Sequence, residues 1–546
     1  MTNLNLIRWL LAFVKPLRWL MAGAVSLGII SNIVVIIIPV LAAVTAFQIF
    51  SGVTINLTAI MIVLICCGVI RGVARYCEQY LNHNIAFRLL AIIREKIFAQ
   101  LRLLGPARLG GKKSGDLITA ITTDVEALEV FFAHTVSPVL IACGTTILTV
   151  GFLARYHLGL ALILLAGQLI VGVLLPFFSY RKHQQIGDHY QKNFVALNQA
   201  VMEDIASLQD IDQYNLQTEK LLELQQKGAN LNQQYRLRLQ QGSVLRIAGE
   251  VTLIATSLII LVLAVFWQLP METIIVAPIL SLSGFGSVLA LNGLGNDLLM
   301  TFASGRRIYA LMQEVPAVTF GTTDKTFALD EVSLQDVAFS YEQGKTILEN
   351  INFTLKPGEW LGIGGESGSG KSTLVKLLMR YWNPESGQID INQNNLSELS
   401  EEALHQLEGL MEQQTFIFET TLLENIRLDN AAISQAAVLK AAEEAEIAEW
   451  INALPDGLQT VVGSQARSLS DGERQRIGIA RMLAYDAPLL LLDEPTSNLD
   501  YLNERSILST LTKKIHGKTV LLISHRPTTL AITQKQLHVS GKTLKP

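Results

Sequence analysis

Apolar residues are spread very unevenly along this chain. Up to about residue 310 they come in six long, nearly uncharged runs, roughly 19 to 49, 55 to 77, 131 to 154, 157 to 178, 247 to 268 and 272 to 299. A helix of about 20 such residues crosses a bilayer core, so each run predicts one transmembrane helix. From about residue 330 the pattern changes to short strand-like apolar runs alternating with amphipathic stretches, as in a soluble α/β domain. The expectation is a membrane all-α domain of six helices over 1–312, a linker over 313–331 and an α/β P-loop domain over 332–546.

The connections between the runs alternate. SGVTIN, the turn near Arg155 to His157 and QLPMET are short and almost free of basic charge, whereas residues 85–129 and 179–246 are long and rich in Lys and Arg. The positive-inside rule then places both termini, both long connections and the α/β domain in the cytoplasm of an inner or plasma membrane. AFRLL, IIREKIFAQLRLL and QQKGANLNQQYRLRLQQ lack proline and keep apolar residues at helical spacing, which predicts long cytoplasmic helix extensions. The polar interruptions KKSGDLITAITTDVEAL and ALNQAVMEDIASLQDI fall at the cytoplasmic tips. They are either contacts for a soluble domain or plain turns between helices.

Composition agrees with two kinds of solvent. Half of the residues are hydrophobic and 16% are charged, and the formal charge of -4 gives no reason to expect nucleic acid as a partner. Cys66, Cys67, Cys77 and Cys143 all lie in the apolar half without metal-ligand spacing, and are expected to be buried, unpaired thiols. The N-terminal MTNLNLIRWLLAFVKPLRWL has basic residues ahead of apolar sequence but neither the short apolar region nor the cleavage site of a signal peptide.

Within RGVARYCEQYLNHNIAFR, at the cytoplasmic end of the second run, Arg71, Arg75, Glu78 and Asn82 share one helical stripe. Charge at membrane depth is costly and faces a bundle interior or a watery cavity. The stripe is either a polar wall facing a substrate or an Arg75–Glu78 ion pair that locks helices together. His83 lies off the stripe, as a packing residue or a ligand.

In WLGIGGESGSGKSTLVKLLMRYW, a strand-like run leads into Gly365-x-x-x-x-Gly370-Lys371-Ser372 and then a helical run, the context of a phosphate-binding loop. Gly365, Glu366, Ser367, Gly368, Ser369, Gly370, Lys371, Ser372 and Thr373 are therefore candidates to hold nucleotide phosphates. Backbone N–H groups close on phosphate oxygens, Lys371 neutralises the terminal phosphates and Ser372 ligates magnesium. APLLLLDEPTSNLD brings Asp493 to the end of an apolar strand as a second magnesium ligand, with Glu494 beside it to polarise an attacking water. TVLLISHR then places His525 near the terminal phosphate.

SLSDGERQRIGIARML reads as a helix start. Ser470 and Glu473 have the spacing of a capping box, and Asp471 sits at the positive end of the helix dipole.

Taken together, these residues resemble the ATP-binding cassette family over essentially the whole chain. Tyr341 in VAFSYEQG resembles the aromatic residue on which adenine stacks, and Gln413 in LMEQQTFIF the glutamine that contacts magnesium and the attacking water. Ser470, Asp471, Gly472 and Glu473 resemble the signature, Ser497 to Asp500 the D-loop and His525 the switch histidine. The resemblance implies an exporter half-transporter with ATP and Mg2+ as cofactors. It would pair with a second half, so that each ATP lies between one chain's P-loop and the other's signature.

A finer resemblance rests on R-Y-x-E-x-x-x-x-H-x-x-x-F-R from Arg75 to Arg88, on LGPARLGGKKSGDLI with TTDVEAL after it, and on VSPVL from Val136 to Leu140. These motifs are similar to those of CydC subunits, which export cysteine and glutathione with a CydD partner and support cytochrome bd assembly. That family has been linked to haem, and His83 stands at the matching histidine. The alternatives are a half-transporter for haem, lipid, drug or peptide, and a regulatory membrane subunit that binds ATP and haem.

Departures from the family pattern are Asn498 in place of the usual alanine, Ser464 where exporters often carry a glutamate, and an end at Pro546 without the usual last helical turns. Asp471 is the sharpest departure. Turned inward, its carboxylate would repel phosphate by roughly 2 kcal/mol at ~7 Å and an effective dielectric of ~20, weakening the site built on the partner's P-loop. Turned outward, it would serve only as a cap.

Overall fold

The computed structural model of the chain describes residues 2–112, 114–323, 328–342, 344–463, 466–497, 499 and 501–546. It divides into a membrane unit, Met1–Leu103 with Lys112–Glu314, and an α/β unit, Leu104–Gly111 with Val315–Pro546.

Among the described residues of the membrane unit, six helices are long and apolar enough to cross a bilayer: Asn3–Phe50, Leu57–Leu109, Gly115–Tyr156, Leu158–Ser179, Gln217–Phe266 and Met271–Leu289. Leu57–Leu109 has 53 residues, which at ~1.5 Å per residue is more than twice the thickness of a hydrocarbon core of ~30 Å. The expected helix extensions are therefore present. The first ends its regular run at Gly105, whose φ of 54° and ψ of -169° suit glycine, next to Pro106, which has no N–H to donate. In the second cytoplasmic connection the helix runs on through most of ALNQAVMEDIASLQDI and breaks only at Ser207 and at Tyr214–Leu216, where Asn215 has φ 55°.

Of the first polar interruption, the described residues belong to the membrane unit; the segment just before it, Leu104–Gly111, groups with the α/β unit. Two expectations are corrected. The sixth apolar run, 272–299, is not one continuous helix: within the span Met271–Leu289 the helix breaks at Phe285, between Met271–Gly284 and the short helix Gly286–Leu289. The Gly284 carbonyl accepts a hydrogen bond from Gln168 Nε2 at 3.1 Å, as irregular backbone at membrane depth must find partners inside the protein. The four cysteines are unpaired as expected but not buried: Cys66 and Cys143 are exposed and the other two half-buried. The apolar surroundings of these helix faces come from outside the chain.

The α/β unit holds two sheets. A four-stranded antiparallel sheet runs in the order Thr346–Leu355, Val332–Ser340, Ser386–Ile391, Asn394–Asn395. A six-stranded sheet runs in the order Thr543–Lys545, Lys535–Ser540, Trp360–Gly365, Thr519–Ile523, Leu489–Asp493, Glu408–Met411, with only its first pair antiparallel. TVLLI and LLLL are continuous apolar runs because parallel strands are covered on both faces, and every residue of Thr519–Ile523 is buried. Ile523 pairs with both Ile363 and Asp493. That register brings the carboxyl ends of three strands level, where open α/β sheets bind their ligands.

Candidate functional site

The three level strand ends open into a cleft of about 1180 Å³. Gly365, Gly368 and Gly370 have φ of 145°, 79° and 101°, and a Cβ on Gly370 would come within 2.8 Å of Ile347 Cγ2. Only glycine serves there. The helix Lys371–Leu378 begins immediately after it and points its free N–H groups at the loop, an arrangement suited to an anion. The loop residues line the cleft except Ser369, whose buried hydroxyl has no partner among the described residues.

Lys371 is 5% exposed and is held by its own loop, with Nζ donating to the carbonyls of Gly365 at 2.9 Å and Glu366 at 2.7 Å. Ser372 Oγ donates to Asp493 Oδ1 at 3.0 Å. Burial pushes the Asp493 carboxyl above its ordinary range; the Ser372 hydrogen bond opposes this and the adjacent Glu494 charge adds to it. Ser372, Asp493 and Gln413, which also lines the cleft, form a hard-oxygen donor set that fits magnesium. The ion would relieve the cost of ionising Asp493 and neutralise phosphate charge.

Glu494 sits in left-handed backbone, φ 49°, with its N–H donating to Ile523 O at 2.9 Å. This turn lifts its carboxylate off the strand end, and His525 Nδ1 lies 2.9 Å from Glu494 Oε2. Across the cleft, Tyr341 packs edge-on against Phe339 at 4.9 Å and Trp382 at 5.6 Å, and its hydroxyl is 3.2 Å from Thr373 Oγ1. Tyr341 is 39% exposed, with the Lys376 ammonium 5.8 Å from its ring centroid.

The signature residues do not line this cleft. Ser470 caps the helix Asp471–Tyr485 in a complete capping box: its N–H donates to Glu473 Oε2 at 2.8 Å, and Glu473 N–H to Ser470 Oγ at 3.3 Å. The Asp471 side chain is 65% exposed, with an oxygen 3.8 Å from Arg474. Ser464, Asn498 and Asp500 lie outside the described residues, as does Lys113 of the first polar interruption.

Two supports of the site were missed at the sequence level. Gln475, buried on the signature helix, donates from Nε2 to the Gln413 carbonyl at 2.9 Å; its signal was a polar residue on the helix's apolar stripe. Glu504 accepts from Arg526 at 2.7 Å and from Thr528 at 2.8 Å, while Arg526 also donates to the carbonyls of Ser497 and Leu499. Arg526, the residue after His525, is thereby tied to Ser497 and Leu499.

In the membrane unit, the Arg71 stripe resolves in part. Glu78 is 1% exposed and takes hydrogen bonds from Arg75 at 2.6 Å and from Asn82 at 2.9 Å. It packs beside Gly28, where a Cβ would stand 3.3 Å from Glu78 Cγ. Arg71 is exposed and takes no part in this network. His83 Nδ1 is 3.2 Å from Glu129 Oε1, with the His134 ring edge-on at 5.7 Å. Among the described residues no group of three or more His, Cys, Asp or Glu is placed to hold a metal ion. Glu129 orients the His83 ring, as a carboxylate beside an imidazole does.

The profile of the ABC transporter family matches residues 348–497, and that of the ABC transporter transmembrane region matches 21–269. A probable ABC transporter ATP-binding/permease protein of Haemophilus influenzae is 36% identical over 540 residues, covering 97% of each chain. The glutathione/L-cysteine transport protein CydC of Escherichia coli is 30% identical over 84% of this chain and 81% of its own. A lipid A-core flippase of Nitrosococcus oceani is 29% identical over 97% and 90%. The solved structure of a bacterial Atm1-family exporter with ATP bound shares the fold, with a TM-score of 0.82 at 21% identity over 97% of this chain and 95% of that one. With its two profiles, its full-length relative and its nucleotide cleft, the chain belongs to the ABC transporter family, as an inner-membrane exporter half-transporter whose cytoplasmic cassette couples ATP hydrolysis to transport.

Proposed function

We propose that this half-transporter exports cysteine or glutathione from the cytoplasm as the CydC-type half of a heterodimer with a CydD-like partner, in support of cytochrome bd assembly. The similarity to a CydC named for glutathione and cysteine transport, over 84% of the chain, carries the reading. Arg75, oriented by Glu78 and still 57% exposed, and exposed Arg71 would meet the carboxylates of such substrates. At the nucleotide site, Tyr341 stacks the adenine and the loop from Gly365 to Thr373 holds the phosphates. Ser372, Asp493 and Gln413 hold Mg2+, Glu494 polarises the attacking water and His525 meets the terminal phosphate. Ser470 to Glu473 face the nucleotide bound by the partner.

A second reading, movement of an anionic lipid, is favoured by the flippase relative that matches 97% of the chain; its phosphates would meet the same arginines. The test uses inverted vesicles holding the assembled transporter. ATP-dependent accumulation of cysteine or glutathione is expected, and a flat thiol signal beside active lipid translocation overturns the thiol reading. A haem-dependent regulatory role would show as a Soret band that His83→Ala removes.

A further inference from the structure

The chain passes between its two units three times, from Leu103 to Leu104, from Gly111 to Lys112 and from Glu314 to Val315. All three passages are gathered on one residue within the membrane unit. Gln100, one helical turn before the first, donates from Nε2 to the Glu314 carbonyl at 2.7 Å. Lys112, immediately after the second, pairs its ammonium with the Glu314 carboxylate. Glu314 is itself the last residue before the third.

A second tie lies behind this one. Asp124, 2% exposed, closes the π-helical turn Ala120–Asp124 on the segment returning from the tip. It accepts from Arg307 Nε at 2.7 Å and from Ser304 Oγ at 2.9 Å, and a second Arg307 nitrogen completes a fork on the same carboxylate. Thr301 Oγ1 donates to Ala127 O at 3.0 Å. Ser304, Arg307 and Thr301 all belong to Leu294–Met312, the last helix of the membrane unit. A bidentate, charge-assisted pair fixes geometry as well as contributing energy, so the returning segment and this helix are held in one register.

We propose that Glu314 and Lys112, backed by Asp124 and Arg307, are positioning residues for coupling: they make the Leu104–Gly111 segment and the linker after Glu314 move as one body. The physical reason is that a site biases a distant one only through an element with discrete arrangements that both sites favour differently. Two independent, loosely attached strands would absorb a nucleotide-driven shift. Clamped to each other and to the last helix, they pass it on to the membrane helices.

The inference rests on the reading of the chain as an ATP-driven transporter, and its test separates the two. Hydrogen exchange is measured on the assembled transporter in lipid nanodiscs, with and without MgATP and vanadate, for the wild type, Glu314→Lys, Lys112→Glu and the double swap. Both side chains are about one-third exposed, so reversal buries no new charge. In the wild type, peptides around 365–373 are expected to gain protection and those from 57–103 and 217–266 to change their exchange. Each single reversal should keep the cassette protection and cut the membrane-helix response at least about threefold, within the range of mutations along coupling routes; the double swap should restore it. A full membrane-helix response in the single variants, or no recovery in the double, overturns the proposal. Absent cassette protection in the wild type overturns instead the ATP-driven reading beneath it.

Discussion

His525 Nδ1 and Glu494 Oε2 stand 2.9 Å apart at the ends of two adjacent parallel strands whose register pairs Ile523 with Asp493. The histidine thus meets the carboxylate proposed to polarise water while its other ring nitrogen is left for a phosphate oxygen. Removing that carboxylate's charge while keeping its shape should stop chemistry without emptying the site. Glu494→Gln in the assembled transporter is expected to lower ATP turnover at this site by about 100-fold or more, the range for a lost general base, with nucleotide affinity nearly unchanged. Near-normal single-site turnover would count against Glu494 in this role.

An Asp471 oxygen lies 3.8 Å from Arg474 at the exposed start of its helix. An acid there stabilises the helix by roughly 0.3 to 1 kcal/mol through the dipole. A carboxylate that acts only as a cap predicts that Asp471→Gly leaves site-resolved ATPase of the assembled transporter unchanged within about twofold and lowers thermal stability only slightly. Ser470→Ala should cost about 1 kcal/mol, the usual value of a lost N-cap. A clear rise in turnover at the partner's site in Asp471→Gly would return the acid to a functional role.

How much of this was legible before the fold depends on the range of each interaction. The six spans could be read because a helix in lipid satisfies its backbone within one segment, so about 20 consecutive side chains carry the whole signal. The phosphate loop was equally local, since the φ values of Gly365, Gly368 and Gly370 are properties of the loop itself. The ties of Glu504 to Arg526, Gln475 to Gln413 and Asp124 to Arg307 were not visible, since each joins polar residues far apart in sequence and periodicity carries no pairing information. The break after Gly284 was hidden for a similar reason: its compensation comes from Gln168, on another helix. The cysteines were misjudged because burial of a small apolar side chain in a membrane protein includes surfaces supplied by lipid or another subunit.

The Arg75–Glu78–Asn82 network makes a prediction that separates pairing from simple polarity. Glu78→Leu alone takes the acceptor from buried Asn82 and should destabilise the membrane unit by about 1 to 3 kcal/mol, the cost of a buried polar group left unsatisfied; Arg75, 57% exposed, is not left as a buried charge. Arg75→Met with Glu78→Leu should lose less than the two single changes added together, since each alone already breaks the same pair. Thermal unfolding of the four proteins of this cycle in detergent gives the coupling. Additive losses would mean that the pair contributes nothing as a pair, and would leave Arg75 free for a substrate.

Glu408 gives the last prediction, on pH. It begins the edge strand Glu408–Met411, is 4% exposed, and neither carboxylate oxygen has a partner among the described residues. Burial pushes its carboxyl well above the ordinary glutamate range, so the folded cassette favours its protonated form. The unfolded chain ionises it above ~4.3. Between that pH and the raised folded value the unfolded state binds fewer protons, so stability falls as pH rises. Glu408→Leu should remove this dependence and stabilise the cassette most at pH 8. The gain should shrink as pH falls toward ~4.3, where wild-type Glu408 is protonated in both states. Unfolding midpoints at pH 5, 6.5 and 8 decide the matter: a gain of equal size at every pH would point to packing alone, and a loss at pH 8 to a partner for Glu408 that the fold does not display.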